Sequence, residues 1–210
     1  MLSEEKRAQA LKILKETYPD AKPALHFSSP FELLVATMLS AQCTDKQVNK
    51  CTDVLFPLYN TAEQFAALDF ETLEPYIKPC GFYRMKGIHI LEMSKILVEQ
   101  YGGKVPETRE ELTKLPGVGR KTANVVLSNA FQVPAIAVDT HVFRVSNRIG
   151  LAEAKDVEKT EQQLMANIPE SDWGAAHHWL IYHGRQVCAA QRPKCADCPL
   201  KEICTYAVHR

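Results

Sequence analysis

The chain has 210 residues, of which 46% are hydrophobic, and its 25 basic and 25 acidic side chains give a formal net charge of zero. This composition is typical of a soluble globular chain with one large domain or two small ones. It excludes a protein that spans a membrane, because no apolar run is long enough to cross a bilayer. It also excludes the strongly basic class of nucleic-acid binders, so any contact with nucleic acid must use a local basic surface.

Helix start signals recur along the chain, whereas strand signals are nearly absent. Ser29-Pro30-Phe31-Glu32 combines an N-cap residue, a first-turn proline and a capping glutamate. Thr44 with Gln47, and Thr61 with Gln64, repeat the start signal for the next two helices. Apolar periodicity then predicts three later helices, at about 86–100, 157–168 and 173–187. We therefore expect an all-α fold.

Residues 107–131 predict a helix-hairpin-helix. Thr108 and Glu111 form a capping-box pattern, which indicates a helix of about two turns ending at Leu115. Pro116 cannot continue this helix, and the two glycines that follow it permit a tight turn. A second apolar face with helical spacing comes directly after the turn.

The turn of this hairpin is a candidate phosphate site. The amides around Gly117 and Gly119 lie at the partially positive N-terminal end of the second helix, where N–H groups can bind a phosphate oxygen. Such a contact carries no base identity. The same Pro-Gly-x-Gly sequence is also typical of a compact turn between packed helices, and the glycines alone leave both interpretations open.

Lys121 follows the turn and is a candidate nucleophile. The first turn of a helix disfavours a positive charge, so this position favours the neutral amine. A neutral lysine can form a Schiff base with a carbonyl-like carbon. A solvated lysine that touches phosphate as a point charge fits the same position, and this alternative stays open.

Asp139 precedes Val142, Val145 and Ile149, which share one face of a predicted helix. Its simplest role is therefore an N-cap. A fixed carboxylate can also stabilise positive charge that develops on a substrate, or move protons to and from a nearby base. The two roles are compatible.

Four of the seven cysteines lie within 17 residues, in the spacing Cys-x6-Cys-x2-Cys-x5-Cys. The odd total and the absence of a secretory signal suit a reducing cytosol, which disfavours disulfides. Zinc and an iron-sulfur cluster both accept four thiolates, and the spacing favours the cluster because it lacks the paired zinc pattern. The remaining cysteines, Cys43, Cys51 and Cys80, look like isolated core residues.

Three segments together resemble the endonuclease III family of bacterial DNA glycosylases with lyase activity: Leu115 to Val126, Val138 to Val145, and the cysteine array. Leu39-Ser40-Ala41-Gln42 adds to a resemblance that covers essentially the whole chain. It implies a helical domain at 22–132 and a second domain, formed by 1–21 and 133–210, with a four-iron four-sulfur cluster. It also implies that the substrates are oxidised or otherwise damaged pyrimidines in duplex DNA.

The resemblance implies roles for individual residues. Lys121 attacks the sugar C1′ and Asp139 assists, so that the base leaves and β-elimination cuts the strand 3′ to the abasic site. Cys188, Cys195, Cys198 and Cys204 hold the cluster. Phe82 stands at the wedge position, where the family commonly has leucine. The expected DNA contacts are Gln42, Phe82, Gly117, Val118, Gly119, Arg120, Arg192 and Lys194.

Two other classes of protein share some of these features. A mismatch-adenine glycosylase carries a similar hairpin and cysteines but lacks the lysine, and its extra C-terminal domain does not fit a chain that ends six residues after Cys204. A non-catalytic DNA-binding module would use the hairpin for phosphate and the cysteines for zinc. We expect a cytoplasmic bacterial monomer that is held at the nucleoid by DNA and makes no membrane contact.

Overall fold

The structure is a computed structural model that describes residues 1–208. In this range the chain forms twelve α-helices and two short 3₁₀ turns, with no β-strand, which confirms the all-α prediction. None of these helices is both long and apolar enough to cross a membrane. The helices are α1 Glu4–Thr17, α2 Pro30–Leu39, α3 Asp45–Leu55, α4 Ala62–Ala66, α5 Phe70–Ile77, α6 Tyr83–Tyr101, α7 Arg109–Leu112, α8 Arg120–Ala130, α9 Thr140–Ile149, α10 Val157–Asn167, α11 Trp173–Gln186 and α12 Thr205–Val208.

The predicted helix starts are confirmed by hydrogen bonds at the N-caps. The Ser29 hydroxyl accepts from the Glu32 amide at 3.1 Å, ahead of Pro30 in the first turn of α2. Thr44 caps α3 in the same way. Thr61 begins α4 with a complete capping box, in which backbone and side-chain bonds run in both directions. Each cap satisfies an amide that the helix itself leaves without a partner, and contributes about 1 kcal/mol.

The chain divides into two compact units. The central unit comprises Pro23–Val133 and the terminal unit comprises Met1–Lys22 with Pro134–Arg210. The assignment of a cluster to one of them stays a prediction.

The central unit is built around α2, which is buried along nearly its whole length and contacts α3, α6 and α8. Helix α5 packs closely on α6 at Gly87, where a Cβ would lie 2.7 Å from the Phe70 ring. Fully burying a large apolar side chain contributes about 1.5–3 kcal/mol, so this core accounts for much of the stability of the unit. Its fully buried residues include Leu33, Leu34, Leu39, Leu55, Phe65, Leu73, Ile77, Ile90, Met93, Leu97 and Leu112.

The terminal unit joins the two ends of the chain. Helix α1 packs on α11, while α9 contacts α10, α11 and α12. The Tyr18 hydroxyl lies 3.0 Å from Nδ1 of His183 and anchors α1 at this packing. The core of the unit includes Leu14, Ile136, Val142, Val145, Ile149, Leu151, Leu164 and Leu180.

Candidate functional site

The helix-hairpin-helix is present, but its first helix is shorter than predicted. Helix α7 ends at Leu112 after a single turn, and Thr108 caps it as expected. Leu115 then donates to the Leu112 carbonyl at 3.1 Å, in a three-residue turn rather than a helix. The helix is replaced after Leu112 by i→i+3 bonds, since the Lys114 amide also donates to the Glu111 carbonyl at 3.1 Å, and Pro116 excludes any return to the helix.

The two glycines of the hairpin turn have different requirements. Gly117 has a φ of +74°, and a Cβ there would lie 2.9 Å from Met38 and 3.0 Å from His89. Gly119 has an ordinary φ of −93° and open space around its Cα. Gly117 is therefore needed for the turn itself, whereas Gly119 leaves free space at the helix start.

The start of α8 presents backbone amides without a side-chain cap. Gly119 occupies the N-cap position and has no side chain to accept their hydrogen bonds. The Val118 amide donates to the Leu115 carbonyl at 3.1 Å, so it serves the hairpin itself. A helix start without a side-chain cap can receive an anion at its amides. Lys121 lies in the same turn and is exposed.

Gln42, Phe82 and Gly117 are brought together around one cavity of about 240 Å³ in the central unit. Gln42 and Phe82 both have left-handed backbone conformations, with φ of 52° and 58°. Such a conformation is costly for residues with a Cβ and is concentrated at functional sites. Phe82 is also 69% exposed, more than any other large hydrophobic residue that the structure describes.

Asp139 is the N-cap of α9, as predicted. Its Oδ1 accepts a hydrogen bond from the Val142 amide at 2.8 Å, and the side chain is half-buried. The cap fixes the carboxylate at the helix start while leaving part of it accessible. Asp139 belongs to the terminal unit and Lys121 to the central unit.

The four C-terminal cysteines are free thiols that interact electrostatically with one another. Burial raises the pKa of the Cys198 and Cys204 thiols, and the charges of neighbouring cysteines act in the same direction. Among residues 1–208, no three His, Cys, Asp or Glu side chains are grouped for a metal ion. Arg192 and Lys194, between the first two of these cysteines, are exposed, and Arg192 has a φ of 49°.

Comparison with known proteins places this geometry in a family. The model of the HhH-GPD superfamily of base excision DNA repair proteins matches residues 35–170. Endonuclease III of Bacillus subtilis strain 168 is 53% identical over 190 residues, which cover 90% of this chain and 87% of that protein. The chain belongs to the endonuclease III family. Endonuclease III of Escherichia coli K12 is 48% identical over 205 residues, which cover 98% of this chain and 97% of that protein.

A solved structure of a trapped endonuclease III–DNA covalent intermediate has the same fold. It superposes with a TM-score of 0.94 at 47% sequence identity, and the match covers 100% of this chain and 99% of that chain. Membership of the endonuclease III family confirms the prediction of a base excision DNA repair enzyme.

This endonuclease III family member also has site residues that the sequence did not indicate. Lys86 is buried, and its ammonium donates to the Leu39 carbonyl at the end of α2 at 2.7 Å. Burial lowers the pKa of Lys86. His89 lines the same cavity and contacts the position of Gly117. The sequence held one signal for the burial of Lys86, because this lysine lies on the same face of α6 as the apolar residues Ile90 and Met93.

A further such residue, His178, lies near Asp139. The His178 side chain is buried, and burial lowers its pKa to about 4. The charge of Arg185 acts in the same direction, while the charge of Asp139 opposes it. The His178 ring also lies 4.0 Å from that of His177, centroid to centroid. Because these residues are remote in sequence from Asp139, no local motif indicated their proximity.

Two arginines hold the backbone around the cysteine array. Arg148 donates to the carbonyls of Ala189 and Ala190 at 2.7 and 2.9 Å, and lies 3.6 Å from the sulfur of Cys188. Arg144 donates to the Cys188 carbonyl at 3.2 Å. Both arginines project from α9, so this helix carries the Asp139 cap at its start and supports the cysteine segment along its length.

Cys51 and Cys80 are core residues, as predicted, but the prediction that Cys43, Cys51 and Cys80 are isolated is wrong. The sulfur of Cys80 lies 3.7 Å from that of Cys51, and Cys43 is close enough to act electrostatically on Cys80. The helices α3 and α5 pack together, which brings Cys51 and the turn after α5 into contact. Their separation in sequence concealed this cluster.

Proposed function

We propose that this chain performs the glycosylase and lyase steps of base excision repair on damaged pyrimidines in duplex DNA, with Lys121 as the nucleophile. The observation that carries the proposal is the first turn of α8, where uncapped amides and an exposed primary amine occur together. An anion-binding turn alone would support DNA binding, and the amine adds covalent chemistry.

The charge around the hairpin supports DNA as the partner. Between residues 112 and 138 the charged side chains are Lys114, Arg120 and Lys121, all of them basic. This local surface attracts the phosphate backbone although the whole chain has no net charge. The hairpin amides and these side chains would fix the position of the duplex, and contribute no base specificity. We infer that the chain acts as a monomer on cytoplasmic, nucleoid-bound DNA.

Gln42 and Phe82 support extrusion of the damaged nucleotide. Both lie at the rim of the cavity beside Gly117, on strained backbone that holds them in place. We propose that they enter the duplex and occupy the space of the flipped nucleotide. Unstacking costs a few kcal/mol and is cheapest at a damaged pair, which favours lesions over intact DNA.

The chemistry then follows from the amine. The neutral Nζ of Lys121 attacks C1′ of the sugar, a C–N bond forms, and the base leaves with its bonding electrons and receives a proton. Ring opening gives an iminium ion, which acts as an electron sink. Loss of a 2′ proton expels the 3′ phosphate by β-elimination, and water then releases Lys121. The strand is cut 3′ to the abasic site.

Asp139 would supply the carboxylate of this reaction. Its N-cap hydrogen bond holds the group in a fixed orientation, while its partial exposure leaves an oxygen accessible. We propose that it stabilises positive charge on the sugar as the base departs and moves protons for the amine.

The cysteine array fits a four-iron four-sulfur cluster held by Cys188, Cys195, Cys198 and Cys204. The donor set is four free thiols, and Arg148 beside Cys188 offsets the negative charge of thiolate ligands. Zinc also accepts four thiolates, but the spacing of these cysteines lacks the paired Cys-x2-Cys pattern of common zinc sites. When bound, the cluster would supply structural support. It would fix the segment that carries Arg192 and Lys194, which we propose contact the DNA backbone.

Borohydride trapping on a duplex with one oxidised pyrimidine tests the role of Lys121. The native protein should give a covalent adduct and cut the strand, whereas Lys121→Ala should do neither. Lys121→Arg keeps the charge but cannot form the iminium, so this variant should bind DNA and leave the strand uncut. Lys95→Ala, an exposed lysine of α6, is the matched control and should behave as wild type.

Full strand cutting by Lys121→Arg would overturn the nucleophile assignment. Binding of DNA by the native protein without any adduct would instead favour the non-catalytic module.

A further inference from the structure

Three thiols that the proposed reaction does not use form a cluster in the central unit. Cys80 lies at its centre, with its sulfur 3.7 Å from that of Cys51, and Cys43 is close enough to act electrostatically on Cys80. Cys51 and Cys80 are 5% and 1% exposed, while Cys43 is half-exposed. All three are free thiols. The cluster therefore has one sulfur that a small solute can reach and two that it cannot.

The cluster lies at the base of the two segments proposed to enter DNA. Cys43 directly follows Gln42, and only Gly81 separates Cys80 from Phe82. The two segments also approach each other, because a Cβ at Gly81 would lie 3.4 Å from the Gln42 carbonyl oxygen. A covalent bond between Cys43 and Cys80 would thus fix the spacing of Gln42 and Phe82.

We propose that Cys43 and Cys80 are a peroxide-responsive thiol pair, whose disulfide ties the Gln42 segment to the Phe82 segment and slows lesion processing. In the first step the Cys43 sulfur attacks hydrogen peroxide, forms a sulfenic acid and releases water. The Cys80 sulfur then attacks this sulfenic acid, an S–S bond forms, and a second water leaves. Two thiols are oxidised and one peroxide is reduced. Dithiothreitol reverses the bond by thiol exchange.

The order of these steps follows from exposure. Peroxide reaches the half-exposed Cys43, whereas Cys80 is enclosed. Burial also raises the pKa of Cys80, so this thiol does not react with peroxide directly. When it attacks the sulfenic acid, its proton joins the departing hydroxide, which leaves as water. Cys51 is the third member and contacts Cys80, so it can replace Cys43 in the bond by exchange.

The first test detects the bond itself and is independent of DNA chemistry. Purified protein that carries its iron-sulfur cluster is treated with hydrogen peroxide, and the remaining thiols are alkylated. The digest is then searched by mass spectrometry for a peptide pair joined through Cys43 and Cys80. We expect this pair in wild type and in Cys51→Ser, and its absence in Cys43→Ser. In Cys43→Ser, Cys80 should also resist oxidation. Oxidation of Cys80 at the wild-type rate in Cys43→Ser, or no joined peptide in wild type, would overturn the proposal.

The second test measures the consequence, which rests on the proposed function. Oxidised wild type should cut lesion DNA about tenfold more slowly or worse, since small displacements of positioning groups can cost that much, and dithiothreitol should restore the rate. The Cys43→Ser/Cys80→Ser double variant retains the four cysteines proposed to hold the iron-sulfur cluster. It therefore reports any damage that peroxide does to the iron-sulfur cluster. Its rate should not change on treatment.

The two ideas fail in different ways. A joined peptide without any slowing would overturn the regulatory effect. A joined peptide in a protein that cuts no lesion even when reduced would refute the proposed function and leave the thiol pair in place.

Discussion

At the scale of single residues, Asp139 has a structural role that the structure shows and a chemical role that we propose. Its Oδ1 caps α9 through the Val142 amide. Asparagine caps a helix about as well as aspartate but carries no charge. We expect the free energy of unfolding of Asp139→Asn to lie within about 0.5 kcal/mol of the wild-type value. The variant should bind lesion DNA with similar affinity, while single-turnover base release slows by about 10²-fold.

Asp139→Ala is the paired variant, because it removes the cap as well. Its free energy of unfolding, measured by urea denaturation, should fall by about 1 kcal/mol. Its rate of base release should also fall, as in Asp139→Asn. Equal losses of affinity and rate in Asp139→Asn would contradict the chemical role.

His178 predicts a pH dependence of stability. Burial lowers its pKa to about 4, below the ordinary value of 6.5. As the pH falls below 6.5, His178 becomes protonated in the unfolded state, whereas in the folded state it stays neutral until about pH 4. The folded state therefore loses stability between these pH values. Between pH 7.5 and pH 5 the loss is about 2 kcal/mol.

The measurement compares wild type with His178→Gln by urea denaturation at pH 7.5 and pH 5. The variant should lose about 2 kcal/mol less than wild type between these values. The groups that act on His178 are Arg185 on the same helix and Asp139 at the start of α9, and both are present in each protein. An identical loss in the two proteins would show that His178 is not the group responsible.

At the scale of elements, the start of α8 combines a strained turn with an open helix end. Gly117→Ala would place a Cβ against Met38 and His89 at a positive φ. We expect it to lose about 1–2 kcal/mol or more, visible as a lower denaturant midpoint. Gly119→Ala has space and ordinary φ, so its stability should stay within about 0.5 kcal/mol of wild type.

DNA affinity gives the pair its functional meaning. If phosphate approaches the start of α8, Gly119→Ala should weaken binding to lesion and intact duplex alike, because the added methyl blocks backbone approach. Unchanged affinity on both duplexes would move the phosphate contact elsewhere.

Elements were predictable where the signal was local. The caps at Ser29, Thr61 and Asp139 depend on residues three positions apart, and all three occur as expected. The length of α7 was missed because the apolar pattern does not show where α-helical hydrogen bonds give way to the i→i+3 turns at Lys114 and Leu115.

The parts of the site that sequence did not predict depend on contacts between distant segments. The Cys43, Cys51 and Cys80 cluster forms through the packing of α3 and α5. The proximity of His178 to Asp139 joins α11 to the start of α9. Neither has a fixed spacing that could be read along the chain.

At the scale of the whole molecule, the cysteines proposed to hold the iron-sulfur cluster all belong to the terminal unit. Loss of the iron-sulfur cluster should therefore destabilise that unit more than the central unit. Cys195→Ser removes one proposed ligand without disturbing the buried cysteines. We expect a protein with reduced iron content and visible absorption, weaker DNA binding, and faster hydrogen exchange in α9, α11 and α12. Exchange in α2 and α6 of the central unit should change little.

Cys43→Ser is the control, because it removes a cysteine of the other unit and should keep the iron. An equal rise in exchange in both units would show that the cluster supports the whole molecule and not the terminal unit alone.

The terminal unit draws its core from both ends of the chain, and this has a consequence during synthesis. Helix α1 buries Leu11 and Leu14, and it packs on α11, more than 150 residues later. At the usual rate of translation this interval takes roughly ten to thirty seconds. A 14-residue helix is only marginally stable alone, so the nascent α1 stays unpaired while the contiguous central unit can already fold. The ribosome therefore completes the hairpin and its lysine before the segment that carries the aspartate is fixed in place.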